Sequence, residues 1–176
     1  MKVQPHPNYA RIERERKFLL AQFPTNASVT RVLRISDRYI EGTTLRLREQ
    51  SEDNGRRVFK LTQKLPAPAS GAQQGFITTM YLAGDEFRLL AQLPAHSLSK
   101  TRYSVPPFGI DVFDGTLEGL VMAEAEFDSA TAADSLTLPS FILHEVSTDL
   151  RFTGGRLVCA SRQDISNWLS DYNISL

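Results

Sequence analysis

A chain of 176 residues is the size of one domain and is long enough to bury its own hydrophobic core. Lysine plus arginine equals aspartate plus glutamate at 20 each, so no overall basic field points to a nucleic acid polymer or an anionic membrane as a partner. The single cysteine, Cys159, excludes an internal disulfide and a cysteine-rich zinc site. Residues 1–8 lack the apolar run of a signal peptide or membrane anchor, so we expect one cytoplasmic domain over 1–176.

Short alternating segments between turn-forming clusters predict a mainly β (α+β) domain, either an antiparallel barrel or a sandwich. After an opening strand near Ile12, the predicted strands are 28–35, 38–40, 43–49, 57–64, 75–82, 100–105, 110–113 and 121–127. The run Asp53-Asn54-Gly55 predicts a hairpin turn. Apolar residues at helical spacing predict helices at 84–93 and 162–172. About eight strands in one chain favour closure into a barrel.

Three charged residues of the opening strand share one face. Because side chains alternate along a strand, Glu13, Glu15 and Lys17 project together. Two carboxylates this close repel each other unless a positive charge lies between them, and a divalent cation bound by oxygen ligands would supply it. A solvated strand face is the commoner explanation of such a run, and a helical ion pair between Glu13 and Lys17 is a further alternative.

The same alternation of charged and apolar residues recurs in later strands. It places charges on one face at Arg46, Arg48, Lys60, Lys64, Lys100, Arg102, Asp111, Glu124 and Glu126. One interpretation is a sheet with one wet, charged face and a leucine face packed on helices. The other is a closed barrel with the charges inside a solvated tunnel. In that tunnel, arginine and lysine would bind phosphate oxygens while paired carboxylates hold Mg²⁺ or Mn²⁺, which together favour a polyphosphate ligand.

The order of these motifs resembles the CYTH domain of the triphosphate tunnel metalloenzymes. This superfamily includes class IV adenylate cyclases, thiamine triphosphatases and inorganic tripolyphosphatases. The resemblance covers about residues 12–157 and is carried by ERERKFLL (13–20), TLRLR (44–48), FKLTQK (59–64), KTRY (100–103), IDVF (110–113), AEAEF (123–127), EVS (145–147) and DLRF (149–152).

The resemblance implies a closed eight-stranded antiparallel β barrel that forms a tunnel, with helices outside and a triphosphate bound inside with one or two Mg²⁺ or Mn²⁺ ions. The implied metal ligands are Glu13, Glu15, Glu124 and Glu126. The implied triphosphate ligands are Lys17, Arg46, Arg48, Lys60, Lys64, Lys100 and Arg102. Glu15 and Lys17 are the expected catalytic residues. A second metal ion, or a carboxylate next to the first, would activate water, and Lys17 would bind phosphate or act in proton transfer.

Three further residues have open roles. Asp111 and Glu145 would either orient other site residues or be structural partners of a tunnel cation. Arg151 would either contact phosphate or form a salt bridge near the tunnel mouth. The chain also departs from the family pattern, because the strand at 75–82 has none of the acids that many members carry there, and the ending at 152–157 differs too. The missing acids weaken the expectation of a second metal ion.

The expected function is divalent-metal-dependent hydrolysis of inorganic tripolyphosphate or a small organic triphosphate. One alternative is a class IV type adenylate cyclase, although no ribose or base pocket is evident in the sequence. A second alternative is a polyphosphate or nucleotide sensor without turnover, which the acid-free strand favours. We expect a small-molecule triphosphate as the binding partner, no nucleic acid polymer or membrane, and a monomer or homodimer.

Overall fold

The computed structural model describes residues 9–66 and 74–176, and within them it has nine β strands and four α helices. The strands are β1 (Arg11–Leu20), β2 (Arg31–Ile40), β3 (Leu45–Ser51), β4 (Arg57–Pro66), β5 (Gln74–Leu82), β6 (Ala95–Val105), β7 (Phe108–Phe113), β8 (Val121–Glu126) and β9 (His144–Glu145). The helices are α1 (Gly84–Leu90), α2 (Ala130–Asp134), α3 (Gly154–Leu157) and α4 (Arg162–Ser170). The start of the chain at 1–8, where we expected neither signal peptide nor anchor, lies outside the described residues.

Eight of the described strands close into an antiparallel barrel, as the family motifs predicted. The strand order is β5-β4-β3-β2-β6-β7-β8-β1, and β1 closes the ring by pairing with β5 from Arg11 opposite Ile77 to Arg14 opposite Gln74. The second half of β1 pairs with β8 on one side and with the short β9 on the other. Because the barrel is closed, these strands have no free edge. This excludes the alternative of an open sheet with one solvated, charged face.

Most predicted boundaries shift by a few residues, and the largest differences from the sequence prediction concern β2, β6 and α1. Strand β2 is continuous where two segments, 28–35 and 38–40, were predicted, because Ser36 and Asp37 stay in register with both β3 and β6. Strand β6 begins at Ala95 instead of Lys100, and α1 ends correspondingly early at Leu90. The predicted hairpin turn is confirmed, since Gly55 has a φ of 85° and the Glu52 amide donates to the Arg56 carbonyl at 3.0 Å.

One end of the barrel interior is closed by an apolar layer. Interior residues of four strands (Leu19, Leu98, Phe113 and Met122) belong to one buried cluster with residues of the C-terminal segment (Phe152, Leu157, Ile165 and Leu169). Gly154 allows the closest approach, because a Cβ there would lie 1.9 Å from Tyr39 Oη. The C-terminal helices therefore seal this end of the barrel. In the described parts of the chain, no helix combines the length and apolar character that a membrane span needs.

A second apolar cluster lies on the outer face of the barrel. Phe18 and Leu20 of β1 pack there with outward side chains of β7 and β8, including Ile110 and Ala123. The loop after β1 and the segment before β9 cover them through Phe23 and through Phe141 and Ile142. Because side chains alternate along a strand, the charged residues of these strands face inward when the apolar residues between them are buried on the outer face.

Candidate functional site

Most of the predicted charged residues meet in the barrel interior. Directly opposed residues of neighbouring strands share a face, and the pairs Lys17 with Glu124, Arg48 with Lys60 and Arg102 with Asp111 follow that rule. The interior set comprises Glu13, Glu15, Lys17, Arg46, Arg48, Lys60, Lys64, Lys100, Arg102, Asp111 and Glu124. The charges therefore line the inside of a closed barrel, which is the second of the two interpretations of the sequence.

Two lysines hold the carboxylates of β1. Glu13 and Glu15 are each only 9% exposed. The Lys64 ammonium lies 2.5 Å from Glu13 Oε2 and 3.3 Å from Glu15 Oε1, and the Lys17 ammonium lies 2.6 Å from Glu15 Oε1. Burial, together with the nearby Glu15 carboxylate, raises the pKa of Glu13 although Lys64 opposes the shift. The pKa of Lys64 is raised, because its two carboxylate partners outweigh the effect of burial.

Glu124 of β8 and Asp111 of β7 are bound by cations of β6. Arg102 donates a hydrogen bond to Glu124 and a bidentate pair to Asp111 at 2.6 Å each, and the Lys100 ammonium lies 2.5 Å from Asp111. Burial alone would raise the pKa of Glu124, but the cations around it, Arg102 first, hold that pKa well below its ordinary value. Glu124 is therefore an ionised carboxylate, and Asp111 is the partner of two tunnel cations.

Asp37 of β2 is a site residue that the sequence analysis missed. It is 1% exposed and accepts two hydrogen bonds from Arg48, both 2.6 Å long. Burial alone would raise the pKa of Asp37, but Arg48 and Arg46 lower it. The two strands predicted from the sequence ended at Ile35 and began again at Arg38, so Asp37 fell between them.

Two interior cations have little or no carboxylate contact. Arg46 Nε lies 3.8 Å from Asp37 Oδ1 and, among the residues that the structure describes, is buried without a hydrogen-bond partner. Lys60 has no ion pair with any described carboxylate, and its ammonium lies 5.3 Å from the centre of the Tyr81 ring. Burial, followed by repulsion from Arg48 and Arg46, lowers the pKa of Lys60. This side of the interior would therefore be stabilised by an added anion.

Three further predicted residues have more exposed positions or lie outside the interior. Glu126 lies directly opposite Glu15 and so on the interior face, but at the end of β8, where its side chain is 59% exposed and lies 3.8 Å from Arg11. Glu145 accepts two hydrogen bonds from an arginine on the outer face of β1. Arg151 forms ion pairs with Asp149 at 2.7 Å and with Asp171 at 2.6 Å, so it makes the salt bridges that were one of its two predicted roles.

The carboxylates of β1 and β8 suit a divalent metal by their chemistry. Glu13, Glu15 and Glu124 offer oxygen ligands on adjacent strands, which is the ligand type that Mg²⁺ and Mn²⁺ prefer. Within residues 9–66 and 74–176, no three acidic, histidine or cysteine side chains stand in a ready metal-binding arrangement. Instead, Lys64 and Arg102 form ion pairs with the oxygens of Glu13, Glu15 and Glu124.

Comparison with known proteins gives the fold independent support. No protein-family model and no curated protein matches the chain. Among solved structures, one crystal structure of the hypothetical protein NE1496 is 27% identical, covers 85% of this chain and 99% of its own, and has a TM-score of 0.56. Another, of the inorganic triphosphatase NE1496, is 26% identical over 84% of this chain and 95% of its own, with the same TM-score of 0.56. The barrel, its charged interior and this likeness show that the chain has the CYTH, or triphosphate tunnel, fold that the sequence motifs predicted.

Proposed function

We propose that this chain is a divalent-metal-dependent triphosphatase that hydrolyses inorganic tripolyphosphate, or a small organic triphosphate, inside the barrel. The observation that carries the proposal is the charge of the interior. Among the described residues, the interior set with Asp37 and Glu126 added has seven lysines and arginines and six carboxylates, and Arg46 and Lys60 have little or no carboxylate contact. The similarity to the inorganic triphosphatase NE1496 supports the same reaction class.

A chain of phosphates suits this interior better than a single small anion. The cations come from β1, β3, β4 and β6, and so they surround the interior instead of forming one pocket. Arginine binds phosphate oxygens in bidentate fashion and lysine binds them as a point charge. A triphosphate carries oxygens on every phosphorus, so it would contact several strands at once.

The mechanism assigns separate tasks to the two sides of the interior. Glu13, Glu15 and Glu124, together with Glu126 at the end of β8, would hold the divalent cation, which supplies charge neutralisation and Lewis-acid polarisation of the phosphate oxygens when bound. Arg46 and Lys60, on the opposite side, bind and orient the phosphate chain and stabilise the charge of the transferring group.

Lys17 is placed to hold or transfer a proton. Its ammonium contacts Glu15 at 2.6 Å, so the two groups form a donor and acceptor pair next to the expected metal ligands. Glu15 would accept a proton from the attacking water, and Lys17 would stabilise the same region by donating a hydrogen bond. The apolar layer at the closed end keeps bulk water away from that side of the interior.

A second candidate, a triphosphate sensor without turnover, is favoured by strand β5. Its inward residues, Ile77, Thr79 and Tyr81, carry no carboxylate, and Thr79 bonds instead to Thr62 across the β4–β5 pair at 3.1 Å. This wall of the barrel therefore offers no ligand for a second metal ion. A protein that binds triphosphate without the full metal complement would bind it tightly and turn it over slowly or not at all.

One experiment separates these functions. The protein is incubated with Mg²⁺ or Mn²⁺ and, separately, tripolyphosphate, ATP or thiamine triphosphate, and orthophosphate is resolved from pyrophosphate. The proposal predicts orthophosphate release that a metal chelator abolishes. Pyrophosphate with cyclic AMP would instead establish a cyclase, and binding without turnover under both metals would establish a sensor.

A pair of arginine variants tests whether the interior is the site. Arg46→Met removes an interior cation, whereas Arg34→Met removes an outward arginine whose side chain is 72% exposed. We expect Arg46→Met to weaken triphosphate binding strongly and Arg34→Met to leave it within about twofold, since screened surface charges contribute little. Equal effects of the two variants would place binding outside the barrel.

A further inference from the structure

We propose that Lys64 competes with the divalent cation for the oxygens of Glu13 and Glu15, and that the displaced ammonium then binds triphosphate. The metal and the triphosphate would thereby bind cooperatively through one mobile side chain. This inference rests on the proposed function and concerns how its two ligands are coupled.

The contacts of Lys64 show the competition directly. Its ammonium lies 2.5 Å from Glu13 Oε2 and 3.3 Å from Glu15 Oε1, and so it bridges the two carboxylates of β1. A Mg²⁺ or Mn²⁺ ion needs the same oxygens at about 2.1 Å. An ammonium that stayed between these oxygens would lie against a doubly charged ion, which Coulomb repulsion forbids.

The exposed fractions of two lysine side chains indicate which ammonium can move away from the carboxylates of β1. The Lys64 side chain is 42% exposed although its ammonium reaches buried carboxylates, so part of this side chain is in contact with solvent. Lys17, which also contacts Glu15, is only 8% exposed and is enclosed by its neighbours. A lysine stem has four flexible carbons, so Lys64 can change rotamer without disturbing the strand.

Displacement of Lys64 would change the charge seen by the phosphate chain. Its ammonium loses two carboxylate partners and joins Lys60 and Arg46 as a cation able to bind phosphate oxygens. The metal would thus raise the affinity for triphosphate. By thermodynamic linkage, triphosphate must raise the affinity for metal by the same factor.

The test measures Mn²⁺ affinity by calorimetry in wild type, Lys64→Met and Lys60→Met, each without and with an imido analogue of triphosphate that resists hydrolysis. Without the analogue, Lys64→Met should bind Mn²⁺ about tenfold more tightly, because the competing ammonium is gone. The control Lys60→Met, which removes an interior lysine with no described carboxylate partner, should change that affinity by less than about twofold. The analogue should raise Mn²⁺ affinity in wild type and clearly less in Lys64→Met.

Two results would overturn the inference: unchanged or weaker Mn²⁺ binding in Lys64→Met, or an unchanged effect of the analogue in that variant. Affinities are expressed against free Mn²⁺, because the analogue also chelates the ion in solution, to the same extent for every protein. If wild type bound no Mn²⁺, the metal-dependent function would fail together with the inference. Mn²⁺-dependent hydrolysis with an unaltered Lys64→Met affinity would refute only the inference.

A second measurement uses the wild-type protein and does not depend on the folding of a variant. Acetylation of lysine amines, followed by mass spectrometry, reports how accessible Lys64 is. Mn²⁺ should raise the extent of Lys64 acetylation and the triphosphate analogue, added afterwards, should lower it, while Lys17 stays protected throughout. No change at Lys64 on addition of Mn²⁺ would contradict the exchange.

Discussion

Replacement of Asp37 by asparagine should weaken folding and strengthen triphosphate binding at the same time. Asp37 is the buried carboxylate that holds Arg48 through two hydrogen bonds of 2.6 Å and lies 3.8 Å from Arg46 Nε. Asparagine keeps the shape of the side chain but removes its charge. Two guanidinium groups then lack their shared counter-ion, and a phosphate chain is the natural replacement.

The size of the stability loss follows from burial. Breaking one partner of a buried ion pair costs about 3–5 kcal/mol, and an amide that still accepts a hydrogen bond favours the lower end, about 3 kcal/mol. In a domain of this length, each kcal/mol shifts Tm by about 2–4 °C. Asp37→Asn should therefore melt roughly 6–12 °C below wild type.

Addition of ligand should recover more stability in the variant than in wild type. A ligand at one hundred times its Kd stabilises a protein by about 2.7 kcal/mol. If freeing Arg48 tightens binding about tenfold, the same concentration is one thousand times Kd for Asp37→Asn and adds about 4.1 kcal/mol. Thermal melts with and without the imido analogue of triphosphate, in constant Mg²⁺, measure both quantities.

Asp149→Asn is the matched control. Asp149 also accepts hydrogen bonds from an arginine, but it lies outside the barrel interior. It should lose stability while the stabilisation by ligand stays at the wild-type value. If Asp37→Asn gained no more from the analogue than wild type does, Asp37 and triphosphate would not compete for Arg48, and the reasoning would be refuted.

Three further results are expected. Lys17→Met should lower kcat at least about 100-fold while triphosphate affinity changes less than about tenfold, as for a proton-transfer residue; equal losses in kcat and affinity would exclude that role. Gly154→Ala should destabilise the fold by about 1–3 kcal/mol in urea unfolding, because its Cβ would meet Tyr39 Oη, whereas Gly155→Ala, with nothing within 4 Å of its Cβ, should be nearly neutral. Equal midpoints for the two alanine variants would remove that explanation. The hydrogen bonds from its arginine partner lower the pKa of Glu145. Wild type should therefore have a higher free energy of unfolding than Glu145→Gln near neutral pH, and this difference should disappear as the pH falls through the lowered pKa. A difference that grew on acidification would have the wrong sign.

The barrel and most of its interior could be predicted because a strand repeats every two residues. Glu13, Glu15 and Lys17 define a face without any knowledge of their neighbours, and the same holds for Arg46 with Arg48 and for Glu124. Apolar residues at the alternate positions form the outer face, so the sequence of each strand shows which of its faces points into the barrel. The ordered motifs then indicated closure, which alternation alone left open.

The missed features depend on contacts between distant parts of the chain. Asp37 is a single acid in a polar stretch, and its role appears only when the register of β2 and β3 sets it opposite Arg48. The closed end depends on the approach of Gly154 to Tyr39, two residues with no common periodicity. Arg151 has a family-like position in the sequence, yet its ion-pair partners, Asp149 and Asp171, come from outside the barrel strands.

The apolar layer that includes Leu19, Leu98 and Met122 closes one end of the barrel interior. Charged molecules cannot pass a layer of this kind, since desolvating a phosphate there has no compensation. In the proposed reaction, triphosphate and its products would therefore enter and leave by the end of the barrel away from this layer. If the chain hydrolyses triphosphate as proposed, the product fragment nearest this layer would leave after the fragment nearer the opposite end, and we expect the fragment released last to be the stronger product inhibitor.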